Sequence, residues 1–138
     1  MNWIFNDGGR ETAGYKGTTN DCVVRAIAIA TEKPYQEVYE LVNHFSKKEK
    51  RSNKSSARTG VHKATTRKVM EHLGAEWIPT MTIGSGCKVH LRKSELPSGK
   101  IIVNLSRHLS AVIDGVIQDI YDSSRDGTRC VYGYWIVK

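Results

Sequence analysis

Long apolar runs are missing from this chain. No stretch approaches the roughly 20 consecutive apolar residues of a membrane span, which excludes a helical membrane anchor within the sequence. The opening residues, Met1 to Asp7, lack the basic and then apolar regions of a secretory leader. Cysteine is sparse: three residues, at positions 22, 87 and 130, with no C-x-x-C pair. That usage suggests neither a disulfide framework nor a zinc module, so Cys87 and Cys130 are expected to be structural thiols. A reducing, cytoplasmic compartment fits, and it would keep a reactive thiol available. His44, His62, His72 and His90 show no metal-ligand spacing and no H-E-x-x-H occurs. Gly84-Ser85-Gly86 is too short for a phosphate loop. No metal, cofactor or membrane partner is therefore expected.

What is present is a chain of 138 residues, 39% hydrophobic and 25% charged, which suits one domain spanning 1–138 with a sizeable core. Its net charge of +7 is uneven. Between Lys47 and Lys68 stand nine Lys or Arg against one acid, Glu49. Such a block suits nucleic acid or an acidic protein partner, and it equally suits a solvated loop and helix face. It holds no aromatic residue, so base stacking there is not expected.

Periodicity orders the rest. Residues 1–16 read as a short strand or extended arm (Trp3-Ile4-Phe5) and a loop. A nearly all-apolar segment from about Asp21 to Thr31 reads as a buried helix. Pro34 suits a first helical position, and Tyr35, Val38, Tyr39, Leu41, Val42 and Phe45 follow at spacings of three and four. Ser46 to Thr59 is polar, basic and aperiodic, and is expected to be a mobile loop without an apolar anchor. Thr59 and Gly60 can open a third helix, with Val61, Thr65, Val69, Met70 and Leu73 inward and Gly74 as its stop. Strands are expected at 76–78, 100–105 and 130–137. Asp114-Gly115, between His108–Ile113 and Val116–Tyr121, carries the signature of a two-residue type I′ hairpin. Helices first and strands second argue for an α+β domain, N-terminal helices packed on a C-terminal antiparallel β-sheet.

Two features carry chemistry. Thr19, Asn20 or Asp21 can cap the buried helix, which puts Cys22 in its first turn, where the helix dipole favours thiolate. The same placement also suits an inert core cysteine. In the hairpin, 113 pairs with 116, 110 with 119 and 108 with 121. His108, Ser110, Val112, Ile117, Asp119 and Tyr121 then share a face. His108 and Asp119 become diagonal neighbours within reach of a carboxylate–imidazole hydrogen bond, while Asp122 falls on the opposite face. A thiol, a histidine to move its proton and an acid to hold the ring are the parts of a cysteine hydrolase, here Cys22, His108 and Asp119.

The stretches Asn-Asp-Cys-Val-Val-Arg-Ala-Ile-Ala (20–28) and His-Leu-Ser-Ala-Val-Ile-Asp-Gly-Val-Ile-Gln-Asp (108–119) resemble the papain-like cysteine peptidase superfamily, in its compact bacterial and phage form. There a cysteine heads a long buried helix and a His-led strand precedes a strand bearing Asn or Asp. The Gly and Trp that flank the papain cysteine are absent, since Val23 and Val24 follow Cys22. Lys16 stands six before Cys22, where that superfamily places an oxyanion Gln. The resemblance implies a papain-like fold, a catalytic triad of Cys22, His108 and Asp119, and an oxyanion hole from the Cys22 backbone N–H with Asn20, supported by Thr18. It also implies that Trp135 shields the His–Asp bond. For a phage-encoded member the setting would be the host cytoplasm.

Three functions are compatible with this pattern. The first is a thiol protease or isopeptidase working on a protein or peptide substrate through a thioester. The second uses the same triad as an acyltransferase. The third is a non-catalytic binding protein that meets nucleic acid or an acidic partner through residues 47–68.

Overall fold

The computed structural model describes every residue except Thr18 and Ile83. In chain order the elements are β1 (Trp3–Phe5), α1 (Cys22–Thr31), α2 (Tyr35–Ser46), α3 (Lys63–His72), β2 (Glu76–Pro79), β3 (Lys100–Leu105), β4 (His108–Ile113), β5 (Val116–Asp119) and β6 (Gly133–Ile136). Among the described residues the fold is α+β, with three α-helices, a short 3-10 turn at Lys93–Glu95 and one six-stranded sheet of order β1-β5-β4-β3-β6-β2.

Strand periodicity explains the two cores. On β3, Ile102 points to the helical side, where it joins Val24, Ile27, Val38, Val69, Ala111 and Trp135. Its neighbours Ile101 and Val103 point to the other side, with Leu105, Val112 and Ile117, under a cover supplied by Leu91 and Val131. A sheet covered on both faces calls for apolar residues at successive positions, which is what Ile101-Ile102-Val103 supplies. Ile27 and Val24 are fully buried. Truncating Ile27 to Ala therefore costs about 2–5 kcal/mol through lost burial and the cavity left behind.

The β4–β5 hairpin closes through Asp114 (φ 48°) and Gly115 (φ 80°). Positive φ at both central residues is the type I′ geometry. Asp114 Oδ1 accepts the Gly99 N–H at 2.8 Å, tying the turn to the start of β3. The register is Ile113 opposite Val116, Val112 opposite Ile117 and Ala111 opposite Gln118. Helix α3 ends in a Schellman turn: Gly74 (φ 77°) donates to Glu71 and Ala75 to Met70.

Several expectations are corrected. The sheet is not wholly antiparallel, because β1 pairs with β5 in parallel, Trp3 opposite Ile117. Asp21 occupies the N-cap of α1 without a side-chain capping bond, since its carboxylate is engaged by Arg25 and Tyr35. Pro34 is the N-cap of α2 and not its first helical residue. Helix α3 starts at Lys63, because Gly60 sits at φ 115° and bridges back to Ser56, a backbone state no helix continues.

Residues 47–58 are not an unanchored loop. Ala57 is fully buried in the helical core, and its N–H donates to Asn43 Oδ1 at 2.9 Å. Glu49 accepts the Ser55 N–H at 2.6 Å and the hydroxyls of Ser55 and Thr65. Slight burial pushes Glu49 up, but these hydrogen bonds outweigh it and hold the carboxyl down at about 2.

Cys87 and Cys130 are not free thiols but a disulfide, with Cα atoms 5.8 Å apart. The bridge between His90 and Cys130 aligns the two segments, a long-range pairing that their separation of 43 residues gives no sign of in the sequence. Among the described residues, no helix is long and apolar enough to cross a membrane.

Candidate functional site

Cys22 is the first residue of α1, and α1 packs its apolar side on β4 and β3. His108 is the first residue of β4, delivered by a two-residue turn from β3 in which Arg107 has φ 56°. The docking of α1 on β4 therefore brings the head of the helix to the head of the strand. The His108 ring and the Leu109 backbone N–H face the Cys22 sulfur, and both favour its thiolate form. On its other side, His108 Nε2 lies 2.6 Å from Asp119 Oδ2, Asp119 being the last residue of β5.

Charge alternates along one buried line. Arg10 Nε meets Asp21 Oδ2 at 3.3 Å. Asp21 Oδ1 is paired with Arg25 Nη1, and Arg25 Nη2 stands 3.7 Å from Asp119 Oδ1. Asp119 holds His108, and His108 faces Cys22. Asp21, Arg25, His108 and Asp119 are all buried. Buried charges of one sign would be expelled or neutralised, whereas alternation lets each be compensated by its neighbours.

The ionisation of each group follows from this arrangement. Burial pushes the Cys22 thiol up, but the bonds from His108 and the Leu109 N–H, with the charges of His108 and Arg25, win and hold it below its ordinary value. Burial pushes His108 down, yet Asp119 and Cys22 raise it above the ordinary histidine value. Burial pushes Asp119 up, and bonds from His108, Ser110 and the Ile120 N–H bring it below the usual carboxylate range. Opposite shifts on a touching thiol and imidazole favour the thiolate–imidazolium pair.

The other residues singled out from sequence fall as follows. Asn20 lines the same cleft as Cys22 and His108 and its side chain is exposed. The backbone N–H of Asn20 donates to Arg58 O at 3.0 Å, so the basic loop fixes the approach to Cys22. Thr18 lies outside the described residues. Trp135 also lines the cleft, but it is opposite Ile102 on β3 and packs 4.9 Å from Trp77. The ring that covers His108 is Tyr121, at 5.2 Å between centroids. Asp122 is spent locally, accepting from Ser124 N–H and Oγ at 3.0 and 2.7 Å.

Several contributors were missed by sequence reasoning. Ser110 donates to Asp119 Oδ2 and meets Ser123 Oγ at 2.9 Å. Tyr35 donates to Asp21 Oδ2 at 2.6 Å, and burial together with that bond raises its own pKa. Arg25 had a readable signal: a lone charge inside an apolar helix, four residues after Asp21 and three after Cys22. Among the described residues no group of three His, Cys, Asp or Glu is arranged to hold a metal ion.

The cleft holds about 730 Å³, enough for several side chains of a bound polypeptide or a small ligand. Compared with known proteins, the chain matches no family model, no curated protein and no solved structure.

Proposed function

We propose that this protein is a thiol-dependent hydrolase of the papain-like kind, a cysteine peptidase or isopeptidase acting through a Cys22–His108–Asp119 triad. The observation that carries the reading is geometric: Cys22 at the head of α1 shares the wall of an open cleft with His108, whose Nε2 lies 2.6 Å from Asp119 Oδ2, and the lowered Cys22 and raised His108 agree with it. Structural ion pairs are rarely built from a half-buried cysteine at a helix head, whereas nucleophiles need this environment.

In this mechanism the Cys22 thiolate attacks the substrate carbonyl carbon, forming a C–S bond. The developing oxyanion takes hydrogen bonds from donors at the head of α1. The Cys22 N–H has no intrahelical partner, and Asn20 lines the same cleft. As the C–N bond breaks, the His108 imidazolium gives its proton to the leaving amine. Water then attacks the thioester while His108 takes its proton, releasing the carboxylic acid and restoring the thiolate–imidazolium pair. Asp119 keeps the ring oriented through Nε2 and stabilises its charge.

The test is active-site titration with limiting iodoacetamide near neutral pH, followed by turnover of a peptide mixture by the parent and Cys22→Ala. Labelling at Cys22 faster than at a free thiol, with cleavage lost in the variant, is the expected result. Labelling no faster than a free thiol, with no cleavage, would sink the reading.

A non-catalytic binding role has one observation in its favour, the exposed Lys47, Lys48, Lys50 and Arg51. Salt-sensitive binding of an acidic partner that is unchanged in Cys22→Ala, without any turnover, would select it.

A further inference from the structure

The cleft around Cys22 is lined by cations and by no Asp or Glu. Lys63 and Arg67 stand one turn apart on α3, and Arg107 sits in the β3–β4 turn directly before His108. All three are exposed and line the cleft. Among the described residues none of the three has a salt-bridge partner. The acids nearest the thiol, Asp21 and Asp119, are buried and already paired. A concave surface of one sign with low-dielectric walls concentrates its field and draws the opposite charge. Apolar walls accompany the charge, Val61 on one side and Leu105, Ile120 and Tyr121 on another.

From this we infer that the substrate is an acidic polypeptide segment, with Asp or Glu side chains close to the carbonyl offered to Cys22 and an apolar side chain between them. The inference rests on the hydrolase reading and supplies its substrate class. Lys63 and Arg67 take a carboxylate from the α3 side, and Arg107 takes another from the strand side.

A nucleic acid fits the same cleft less well. Three cations make a small footprint beside the six to ten phosphate contacts typical of DNA-binding proteins. The Trp rings are not open stacking platforms, because Arg67 covers both Trp77 and Trp135 at 5.9 Å and the two rings pack on each other.

The experiment uses three fluorescent 12-residue peptides with the same central Gly-Phe-Gly, flanked on both sides by Glu, Gln or Lys, and a fluorescent 12-nucleotide single strand. Binding is read by anisotropy on the full chain carrying Cys22→Ala, at low and at physiological salt. Turnover of the same peptides and iodoacetamide labelling are read on the parent. The Glu peptide is expected to bind at least tenfold tighter than the Gln peptide and the Lys peptide to bind weakest, with the differences shrinking as salt rises. In Lys63→Glu/Arg67→Glu/Arg107→Glu, checked by melting temperature, the order of the Glu and Lys peptides should invert.

Equal binding of the three peptides, binding of none, or tighter binding of the oligonucleotide overturns the substrate class. If labelling and turnover stay intact in that case, the hydrolase reading survives. If the Glu peptide is preferred while no peptide is cut and Cys22 labels like a free thiol, the acidic-segment site stands and the hydrolase reading falls.

Discussion

Arg25 Nη2 lies 3.7 Å from Asp119 Oδ1, so the helix that carries the thiol also grips the acid that holds the histidine. The same guanidinium pairs with Asp21 one turn earlier. The three members of the proposed triad come from three different elements, α1, β4 and β5, and this one side chain ties the first of them to the last. Among the described residues its Nε has no hydrogen-bond partner, and its ion pairs go to the two aspartates.

Removing that guanidinium should be costly. In Arg25→Met, Asp21 keeps Arg10 and Tyr35, but Asp119 loses a counter-charge within the core. Breaking a buried pair by deleting one partner costs about 3–5 kcal/mol. A fall in melting temperature of that weight is expected. In the folded fraction, the pH at which Cys22 becomes reactive should move up, because Arg25 helps to lower it. Unchanged stability would mean the guanidinium is dispensable.

The pH profile of Cys22 alkylation should have its sign set by two opposed shifts. Cys22 lies below its ordinary value and His108 above its own, and each shift enlarges the share of the thiolate–imidazolium pair. Turnover should be bell-shaped in pH, falling on the acid side as the thiolate is protonated and on the alkaline side as the imidazolium is lost. In His108→Ala the burial of Cys22 is opposed only by the Leu109 N–H and Arg25, so its alkylation midpoint should move up. Turnover should fall about 10²- to 10⁴-fold, the usual weight of a lost general acid–base.

Asp119 separates orientation from stability. It is buried and accepts from His108, Ser110 and the Ile120 N–H, so Asp119→Ala strands donors and should cost about 3 kcal/mol as well as turnover. Asp119→Asn keeps the shape and should be milder on both counts. Because folding lowers the Asp119 value, its stabilisation is present above about pH 4, the unfolded carboxylate value, and is lost as pH falls through the folded one. Melting curves between about pH 2 and 5 should therefore be flatter for Asp119→Asn. His108 works the other way: its stabilisation is full below about 6.5 and is lost as pH rises through its raised folded value. Asp122→Ala should leave turnover near the parent level. A dead Asp122→Ala beside an active Asp119→Ala would overturn the assignment.

The loop before α3 should be testable by proteolysis. Glu49 holds Ser55 and Thr65, and Arg58 O holds the N–H of Asn20. The parent should resist limited trypsin between Lys47 and Arg58 despite the density of basic sites there. Glu49→Ala should open the loop at a cost of about 1 kcal/mol in stability and slow alkylation of Cys22. Rapid nicking of the parent at this stretch would contradict the anchoring.

The disulfide divides the three cysteines. In the unreduced native protein one equivalent of iodoacetamide should react, at Cys22, because Cys87 and Cys130 are joined. Closing a loop of this length is worth up to about 4 kcal/mol in the chain-entropy view. Cys87→Ser/Cys130→Ser should lower stability by up to that amount while leaving the Cys22 labelling rate close to the parent value. Three reactive thiols in the untreated protein would refute the bond.

What could be read from sequence was local. The buried helix headed by Cys22 shows in its unbroken apolar run, and the hairpin shows in Asp114-Gly115, whose positive φ values only such residues adopt readily. Once that turn is placed, period-two alternation aligns His108 with Asp119 without further information. The unread parts depend on long-range pairing. Nothing in Trp3-Ile4-Phe5 says that its partner is β5 or that the pairing is parallel. Glu49 looks like one acid lost among bases, and its role depends on Thr65, on a helix that starts later than Gly60 suggested. The expected pairing of His108 with Tyr121 does bring the two rings together, although Tyr121 lies past the end of β5.

The order of strands in space also sets an order in time. Trp3 waits for Ile117, almost the whole chain away, before β1 has a partner. Asn6 N–H closes on the backbone oxygen of Asp119 at 3.0 Å. Pairings this distant in sequence form late. A ribosome-bound chain grown only as far as Leu105 already contains all of α1, yet it has neither the His108 ring nor the Leu109 N–H that pull the Cys22 thiol down. Until β4 and β5 have been made, Cys22 therefore lacks the neighbours that lower its pKa.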